Sequence, residues 1–351
     1  MKIAIQHEFL TVDAEGRVAG HDAGDTLVRR LLRVFPGATL IGPRTHRYPD
    51  FDVVPLEMLD GNDTVLINMD VIDSAAAWRT LRATCEKPKV MNFVWWSTSR
   101  YSEAVEMAEL ALACALFPTF ANSERTMRAI SESVRRWTVK PLAERARIGG
   151  VNLGIRLEHV QARQEPATPV VLYPAIYVSQ RKQPGLFIDV VSKVAKKTPI
   201  VVEARLSEAH LVSEPAMRLS REHWAKVGPL VPSRHDYWKA LARTTAFLAT
   251  AEDESYGLEY IEALVAGAIG VFPDREWARA ILPEKYPFFY KTPAEAEAQL
   301  LRAVTDTAAC RAELDKAVNG SFADWLRDHH DEDNFESSIA EHVTRWFGPI
   351  S

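Results

Sequence analysis

Residues 252–272 read EDESYGLEYIEALVAGAIGVF, and this stretch decides the fold class of the chain. The apolar run AFLAT at 246–250 precedes it and predicts a buried strand. After Gly257, apolar residues recur at helical spacing, which predicts a helix. A second apolar run, Ile269–Phe272, predicts another strand. Strand, loop, helix and strand in this order indicate a parallel α/β sheet.

Two carboxylates of this stretch, Glu254 and Glu262, stand eight positions apart. A helix that begins after Gly257 points backbone N–H groups and its positive dipole end at the preceding loop, which suits a phosphate. Carboxylates accept hydrogen bonds from sugar hydroxyls. The pattern therefore predicts a sugar-nucleotide site. The alternative is an amphipathic helix with a capping acid, although Glu262 next to the core-facing Leu258 would need a polar partner.

Predicted strands and helices alternate along almost the whole chain, which is typical of parallel sheets with crossover helices. The expected strands are Met1–Ile5, Thr39–Ile41, Thr64–Asn68, Lys89–Trp95, Leu116–Pro118, a run from Pro169, Pro199–Glu203 and Trp224–Gly228. The expected helices are Asp25–Phe35, Ser102–Ala113, Ser123–Arg136, Gly185–Lys196 and Asp236–Thr244. We expect Ser123, and Ser233 or Asp236, to cap their helices.

The length of 351 residues favours two domains. The polar segment 158–168 is the best linker, so we expect one Rossmann-like domain at 1–160 and another at 161–333, facing a cleft. Ligands of such sheets lie at the carboxyl ends of the strands. Residues 334–351 include a final amphipathic helix with Phe335, Ile339, Val343 and Phe347 as its buried stripe.

The stretch from Glu254 to Glu262 resembles the E-x7-E motif of retaining glycosyltransferases with the GT-B fold, particularly glycosyltransferase family 4. Further segments resemble that family in the expected order: IQHEFL at the start, NFVWWSTSRY (92–101), ANSE (121–124), GGVNLGI (149–155) and VSQRKQPGLFIDVV (178–191). The resemblance covers most of residues 1–270. It implies an α/β GT-B fold whose last helix crosses back to the N-terminal domain, and transfer of a sugar from a nucleotide donor to an acceptor hydroxyl.

The resemblance also assigns a donor side. It implies that Glu254 touches the donor sugar, that Glu262 holds the ribose, and that Lys182, with Arg181 beside it, neutralises the leaving diphosphate. The other residues expected near the donor are Ser255, Tyr256, Gly257 and Leu258 of the loop, Gly228 near the nucleobase, and Gly24. The chain departs from the family at Gly24, where one glycine replaces a pair, and at Tyr177, where the family has an arginine. Arg205 would supply the positive charge that this arginine provides in the family.

The acceptor side falls in the first half of the chain. His7 and Glu8 follow the first strand and would orient the acceptor hydroxyl, with His7 as a candidate base. Trp95, Trp96, Arg100 and Tyr101 crowd one strand end, where aromatic rings stack on sugars or bases. Structural alternatives stay open for both groups: a strand-end histidine of purely structural role, and a hydrophobic core cluster.

The composition of the chain limits the kinds of partner, metal and cofactor that we expect. No apolar run reaches the ~18–20 residues that a spanning helix needs. The N-terminus MKIAIQHEFL lacks a signal-peptide pattern, so we expect a cytoplasmic protein. Cys85, Cys114 and Cys310 show no metal or disulfide spacing. We expect no metal and no tightly bound cofactor, only a UDP- or GDP-sugar as substrate, although Asp70 with Asp73 and the run HHDED (329–333) are candidate ligand clusters.

The acceptor itself stays open. A glycan, a lipid-linked glycan or a small molecule fits the leading hypothesis. Residues 124–147 hold seven basic and three acidic residues, which suits a peripheral membrane contact, a phosphorylated acceptor or nucleic acid, or simply a solvated helix face. A second hypothesis is therefore transfer to a hydroxylated base in nucleic acid, which the net charge of −5 disfavours. A third is a non-catalytic GT-B protein that binds a nucleotide sugar or a partner.

Overall fold

Two sheets of parallel strands organise the chain, one in each of two compact units. The computed structural model describes residues 1–8, 10–20, 23–231 and 233–350. Unit 1 holds residues 1–152 and those from 333 onward, and unit 2 holds residues 153–332. The expected domain boundary between residues 160 and 161 stays a prediction. The compact unit 2 begins at Leu153. Asp22, which precedes the expected Gly24 contact, lies outside the described residues.

The sheet of unit 1 has eight strands, β1 to β8, in the order β3-β4-β2-β1-β5-β6-β7-β8. They are β1 Lys2–Gln6, β2 Thr39–Ile41, β3 His46–Arg47, β4 Asp52–Val54, β5 Thr64–Asn68, β6 Lys89–Val94, β7 Thr119–Ala121 and β8 Ile148–Gly150. All described pairings are parallel except β3 with β4. The central strand β5 is buried at every residue because helices cover both faces of a parallel sheet.

Within the part of unit 1 that the structure describes, five helices connect these strands. They are α1 Ala23–Val34, α2 Ser74–Arg82, α3 Ala104–Leu116, α4 Glu124–Trp137 and α5 Lys140–Ala143. Ser123 caps α4 as predicted, its hydroxyl accepting from the N–H of Thr126. The predicted strand Leu116–Pro118 is wrong, because the apolar alanine-rich helix α3 continues to Leu116 and the strand begins at Thr119.

The sheet of unit 2 has six strands, all parallel in the described pairings, in the order β11-β10-β9-β12-β13-β14. They are β9 Val170–Tyr173, β10 Val201–Leu206, β11 Ala225–Pro229, β12 Ala246–Leu248, β13 Ile269–Pro273 and β14 Phe289–Tyr290. Strands β12 and β13 are the two that the opening stretch predicts, and both are completely buried.

The helices of unit 2 are α6 Pro184–Ala195, α7 Glu208–Leu211, α8 Glu214–Ser220, α9 Arg234–Leu241, α10 Leu258–Val265, α11 Glu276–Ala280, α12 Pro293–Thr305, α13 Thr307–Ala317 and α14 Phe322–His329. Ser233 caps α9, its hydroxyl accepting from the N–H of Asp236, so the helix begins two residues before the predicted start. Helix α10 begins directly after Gly257, as predicted.

The last helix, α15 Glu332–Phe347, packs into unit 1. The ring of Phe335 lies 5.9 Å from that of Phe93 on β6 and 6.0 Å from that of Phe120 on β7. Ile339 and Val343 are also fully buried, which confirms three positions of the predicted stripe. The fourth, Phe347, is only half-buried.

A buried chain of polar side chains joins three strands of unit 1. Asn68 donates to the Ser74 hydroxyl at 2.8 Å, and that hydroxyl donates to Oδ1 of Asn92 at 2.5 Å. Asn92 in turn donates to Thr119 at 3.0 Å. Each of these side chains hydrogen-bonds to the next, so the network fixes the relative positions of the strand ends. It does so without leaving one of its own buried polar atoms unpaired.

The three cysteines, Cys85, Cys114 and Cys310, are free and buried, as expected from their spacing. Among the described residues, no helix combines the length and the apolar character that crossing a membrane would require. The observed architecture is thus an α/β fold of two Rossmann-like domains, each built on a parallel sheet.

Candidate functional site

Lys182 lies at the centre of a charge cluster in unit 2. It follows β9 in a short 3-10 turn, and its Nζ donates to Oε1 of Glu254 at 2.5 Å and to Oε1 of Glu259 at 2.6 Å. Glu254 follows the neighbouring strand β12, so both residues come from the carboxyl edge of the sheet, where ligands of such folds bind. The Tyr260 hydroxyl also donates to Glu254, at 3.2 Å.

Burial and neighbouring charge shift the protonation of this cluster. Burial raises the pKa of Glu254 to about 7, with Glu259 adding to the rise and Lys182 opposing it. Burial alone would lower the pKa of Lys182, but Glu259, Tyr260 and Glu254 outweigh it and hold that pKa well above its usual range. Lys182 is therefore a permanent cation, while Glu254 can change its charge near neutral pH.

The loop before α10 is shaped by Gly257, which has a φ of +79°. A Cβ at this position would lie 2.5 Å from the ring of Tyr260, so only glycine fits. Leu258 and Glu259 begin α10, and the N–H groups and dipole at the N-terminus of a helix favour an anion. Ser255 lies in the same loop, half-buried.

Glu262, on the same helix, is 7% exposed and has both carboxylate oxygens engaged. Oε1 accepts from Nη2 of Arg234 and Oε2 from the hydroxyl of Tyr237, each at 2.6 Å. Burial, followed by the Glu262 charge, raises the pKa of Tyr237 well above its usual range, so the hydroxyl stays a donor. The polar partner that Glu262 needs is thus supplied by the chain itself, and its burial no longer argues for a ligand.

Tyr256 turns its side chain away from the Lys182 cluster. Its hydroxyl accepts from the N–H of Gly154 at 3.1 Å and hydrogen-bonds Nδ1 of His330 at 2.7 Å. The segments around these two partners pair with each other, since Ile155 donates to the carbonyl of His330 and accepts from the N–H of Glu332. Tyr256 therefore ties the loop of Glu254 to both segments at which the chain passes between the two units.

The remaining residues expected on the donor side are Arg205, Gly228, Arg181 and Gly24. Arg205 is the next-to-last residue of β10 and pairs with Gly228 of β11, and a Cβ on Gly228 would lie 3.0 Å from Nη1 of Arg205. Among the residues that the structure describes, Arg205 has no ion-pair partner. Arg181 is exposed and accepts the N–H of Glu252 on its carbonyl. Gly24 belongs to unit 1.

Unit 1 brings together residues from the carboxyl ends of three neighbouring strands. His7 follows β1, Asp70 follows β5 and Trp95 follows β6. Nδ1 of His7 lies 3.6 Å from Oδ1 of Asp70, and its ring meets that of Trp95 edge-on at 5.6 Å. A Cβ on Gly24 would overlap the His7 ring, so close packing of protein groups explains this glycine without a ligand. Glu8 is exposed next to this group.

The aromatic candidates Trp95, Trp96 and Tyr101 pack in or against one hydrophobic cluster. Trp96 is 9% exposed and packs in a hydrophobic cluster, with the Tyr101 ring edge-on at 4.9 Å. Arg100 lies over the Trp96 ring at 6.0 Å. Packing therefore accounts for Trp96 and Tyr101, which was the structural alternative, while Trp95 contacts His7.

Two further groups of predicted residues have clear locations. Helices α4 and α5 lie within residues 124–147, and six of the seven basic residues of this stretch are exposed: Arg128, Arg135, Arg136, Lys140, Arg145 and Arg147. Within the described parts of the chain, no three His, Cys, Asp or Glu side chains converge as a metal site requires. Asp73 occupies the N-cap position of α2, and His330 bonds Tyr256.

Sequence reasoning missed Glu259, Arg234, Tyr237 and the pairing of Asp70 with His7. Glu259 carries a visible signal, because it is an acid in the first turn of a helix beside a predicted diphosphate position. Arg234 and Tyr237 are three positions apart on one helix, but nothing in the sequence aims that helix at Glu262.

Comparison with known proteins identifies the fold. No protein-family model and no curated protein sequence matches the chain. Sucrose-phosphate synthase from Thermosynechococcus elongatus superposes with a TM-score of 0.70 at 11% identity, covering 99% of both chains. The HepE protein of Anabaena, solved with UDP and glucose, gives 0.70 at 13% identity, covering 98% of this chain and 100% of its own.

A third similar structure, α,α-trehalose 6-phosphate synthase from Burkholderia multivorans, gives a TM-score of 0.66 at 10% identity, covering 98% of both chains. These matches establish that the chain has the GT-B fold of glycosyltransferases. At identities of 10–13% they establish the fold alone.

Proposed function

We propose that this protein is a glycosyltransferase that moves a sugar from a nucleotide-sugar donor to an acceptor hydroxyl, with retention of anomeric configuration as in family 4. The observation that carries the proposal is the convergence of the Lys182 ammonium, the Glu254 carboxylate and the first turn of α10 at the carboxyl edge of the second sheet. A cation and free N–H groups suit a diphosphate, and a carboxylate suits sugar hydroxyls.

Within this proposal each donor-side residue has a defined role. Lys182 and the N–H groups of Leu258 and Glu259 bind the diphosphate and stabilise it as it leaves. Glu254 accepts hydrogen bonds from the donor sugar. Glu262, oriented by Arg234 and Tyr237, accepts from the ribose through its remaining lone pairs. The donor is a UDP- or GDP-sugar, and the HepE structure with UDP supports this choice by similarity of fold.

The reaction proceeds on one face of the sugar. The bond from the anomeric carbon to the phosphate oxygen breaks as the acceptor oxygen bonds the same carbon, and the acceptor proton passes to the leaving phosphate. His7, held near Asp70 and Trp95, orients the acceptor hydroxyl in unit 1. We propose a glycan, lipid-linked glycan or small-molecule acceptor over nucleic acid, because the net charge is −5.

A second candidate function is binding of a nucleotide sugar without turnover. It is favoured by one observation: Tyr177 stands where the family that the chain resembles has an arginine. The chain therefore has a neutral residue at a position where that family places a cation that favours departure of the diphosphate.

A donor screen tests both candidates. The wild type is incubated with UDP-glucose, UDP-N-acetylglucosamine and GDP-mannose, and the Tm and the release of nucleoside diphosphate are measured. We expect one donor to raise the Tm and to be hydrolysed slowly, with both effects lost in Lys182→Met and Glu254→Gln. Lys193→Met is the matched control, because Lys193 is an exposed lysine on α6 of the same unit.

Each outcome is decisive for one candidate. Binding without hydrolysis or transfer to a panel of sugar acceptors supports the non-catalytic protein. If no donor shifts the Tm, the donor-site assignment of Lys182 and Glu254 is wrong. With an active donor, the anomeric proton coupling of the NMR spectrum of the first product tests retention.

A further inference from the structure

The carboxylate of Glu259 binds the ammonium of Lys182, which is the cation that the proposed donor site needs for a diphosphate. Its Oε1 lies 2.6 Å from Nζ of Lys182, a distance typical of a strong charge-assisted hydrogen bond. Glu254 binds the same ammonium at 2.5 Å. The rings of Tyr177 and Tyr260 lie 5.7 and 5.4 Å from Nζ, so the ammonium is enclosed by carboxylates and aromatic faces.

The charges of this cluster do not favour a diphosphate in its present arrangement. One ammonium faces two carboxylates, so the three groups together carry a net negative charge whenever both acids are ionised. An anion that approaches Lys182 meets repulsion from both carboxylates, and this repulsion is strong where water is excluded. Binding a diphosphate therefore requires one carboxylate to leave the ammonium or lose its charge.

The two carboxylates differ in their freedom to move. The Glu254 side chain is 15% exposed and is also held by the Tyr260 hydroxyl. The Glu259 side chain is 31% exposed and lies in the first turn of α10. Glu259 has a route to solvent, so it is the group that can swing away when an anion takes its place.

We infer that Glu259 sets the affinity of the proposed donor site for diphosphate by competing with the diphosphate for the ammonium of Lys182. This inference rests on the proposed function, since it assigns a role within the same site. It makes Glu259 a determinant of affinity that acts against binding in the free protein and releases Lys182 only when a sufficiently charged ligand arrives. The competition should grow with the number of phosphates on the ligand.

The test compares UDP, UMP and uridine by isothermal titration calorimetry with wild type and Glu259→Gln. Glutamine keeps the shape of the side chain but removes the charge that competes for Lys182. We expect Glu259→Gln to bind UDP about tenfold more tightly, UMP by a smaller factor and uridine with unchanged affinity. Glu252→Gln is the matched control, because Glu252 is an exposed acid of the same loop whose side chain accepts from Gln183.

The outcomes separate this inference from the proposed function. Unchanged or weaker UDP binding by Glu259→Gln, with normal binding by the wild type, overturns the inference and leaves the donor site in place. An equal gain in Glu252→Gln also overturns it, because the effect would then be one of general charge. If neither protein binds UDP, and GDP gives the same result, the proposed donor site itself is wrong.

Discussion

The Tyr256 hydroxyl donates a hydrogen bond to Nδ1 of His330 across 2.7 Å, and the partners of the two groups determine this direction. The Ile281 carbonyl can only accept, so Nε2 of His330, 3.1 Å away, must carry the proton. Nδ1 of the neutral ring is then an acceptor, and the Tyr256 oxygen is free to accept from Gly154. A continuous chain of hydrogen bonds thus joins the Glu254 loop to residues 154 and 330.

Replacement of this hydroxyl tests the energetic value of the chain. Tyr256→Phe removes the hydrogen bonds that the hydroxyl makes with the N–H of Gly154 and with Nδ1 of His330 in a buried region, so we expect the free energy of unfolding to fall by about 2 kcal/mol. Urea denaturation followed by circular dichroism measures it. Tyr48→Phe is the control, since the Tyr48 hydroxyl makes no hydrogen bond among the described residues, and an equal loss there would contradict the prediction.

The protonation of His330 predicts an acid-sensitive contribution to stability. Burial lowers its pKa to about 4, below the ~6.5 of an unfolded histidine. The contribution is therefore complete above pH 6.5 and is lost as the pH falls toward 4, by about 3 kcal/mol in all. The difference in unfolding free energy between wild type and His330→Gln should shrink over this range. His329→Gln, a change of the exposed neighbouring histidine, should show no such trend.

Glu262 and Tyr237 should be energetically coupled. The bond between them is short, partly buried and charge-assisted, so a double-mutant cycle of Glu262→Gln and Tyr237→Phe should give a coupling of about 1–2 kcal/mol. Unfolding in urea supplies the four free energies. Additive effects of the two changes would show that Arg234 alone satisfies the carboxylate.

Gly257 should tolerate no side chain. Its positive φ and the nearby Tyr260 ring oppose a Cβ, so Gly257→Ala should lower the unfolding free energy by about 1–3 kcal/mol and weaken donor binding. Gly185→Ala makes the same change in the first turn of α6, where a Cβ meets no atom within 4 Å. That variant should be neutral or slightly stabilised. Equal losses in the two variants would refute the role given to Gly257.

The polar chain through Asn92 should matter more for stability than any exposed amide. Asn92→Ala removes the bonds to Ser74, Thr119 and the Ala113 carbonyl, so we expect a loss of about 2–4 kcal/mol in unfolding free energy. Asn62→Ala, at an exposed position, should change it by less than about 0.5 kcal/mol. Thermal and urea unfolding of both variants provide the comparison.

The spacing of apolar residues predicted most of the long elements, because a strand or helix that buries one face repeats apolar residues at a fixed period. Strands Thr39–Ile41 and Thr64–Asn68 have the predicted bounds, and α10 begins where a glycine is needed. The strands that were not predicted, β3, β4, β8 and β14, have two or three residues each. So few residues show no period, and they pair at or near sheet edges that only the folded neighbours define.

The alternation of strands and helices in the sequence determined that the chain has an α/β fold of two parallel sheets. The resemblance of its motifs to those of glycosyltransferase family 4 then indicated Lys182, Glu254 and Glu262 as candidate donor-side residues. Only the tertiary structure decided what these residues touch. Glu259 reaches Lys182 across 77 positions and Arg234 reaches Glu262 across 28, so the contacts depend on how α9, α10 and the turn after β9 pack. Charge balance at the site is a property of that packing, since burial and distance set the interaction between charges.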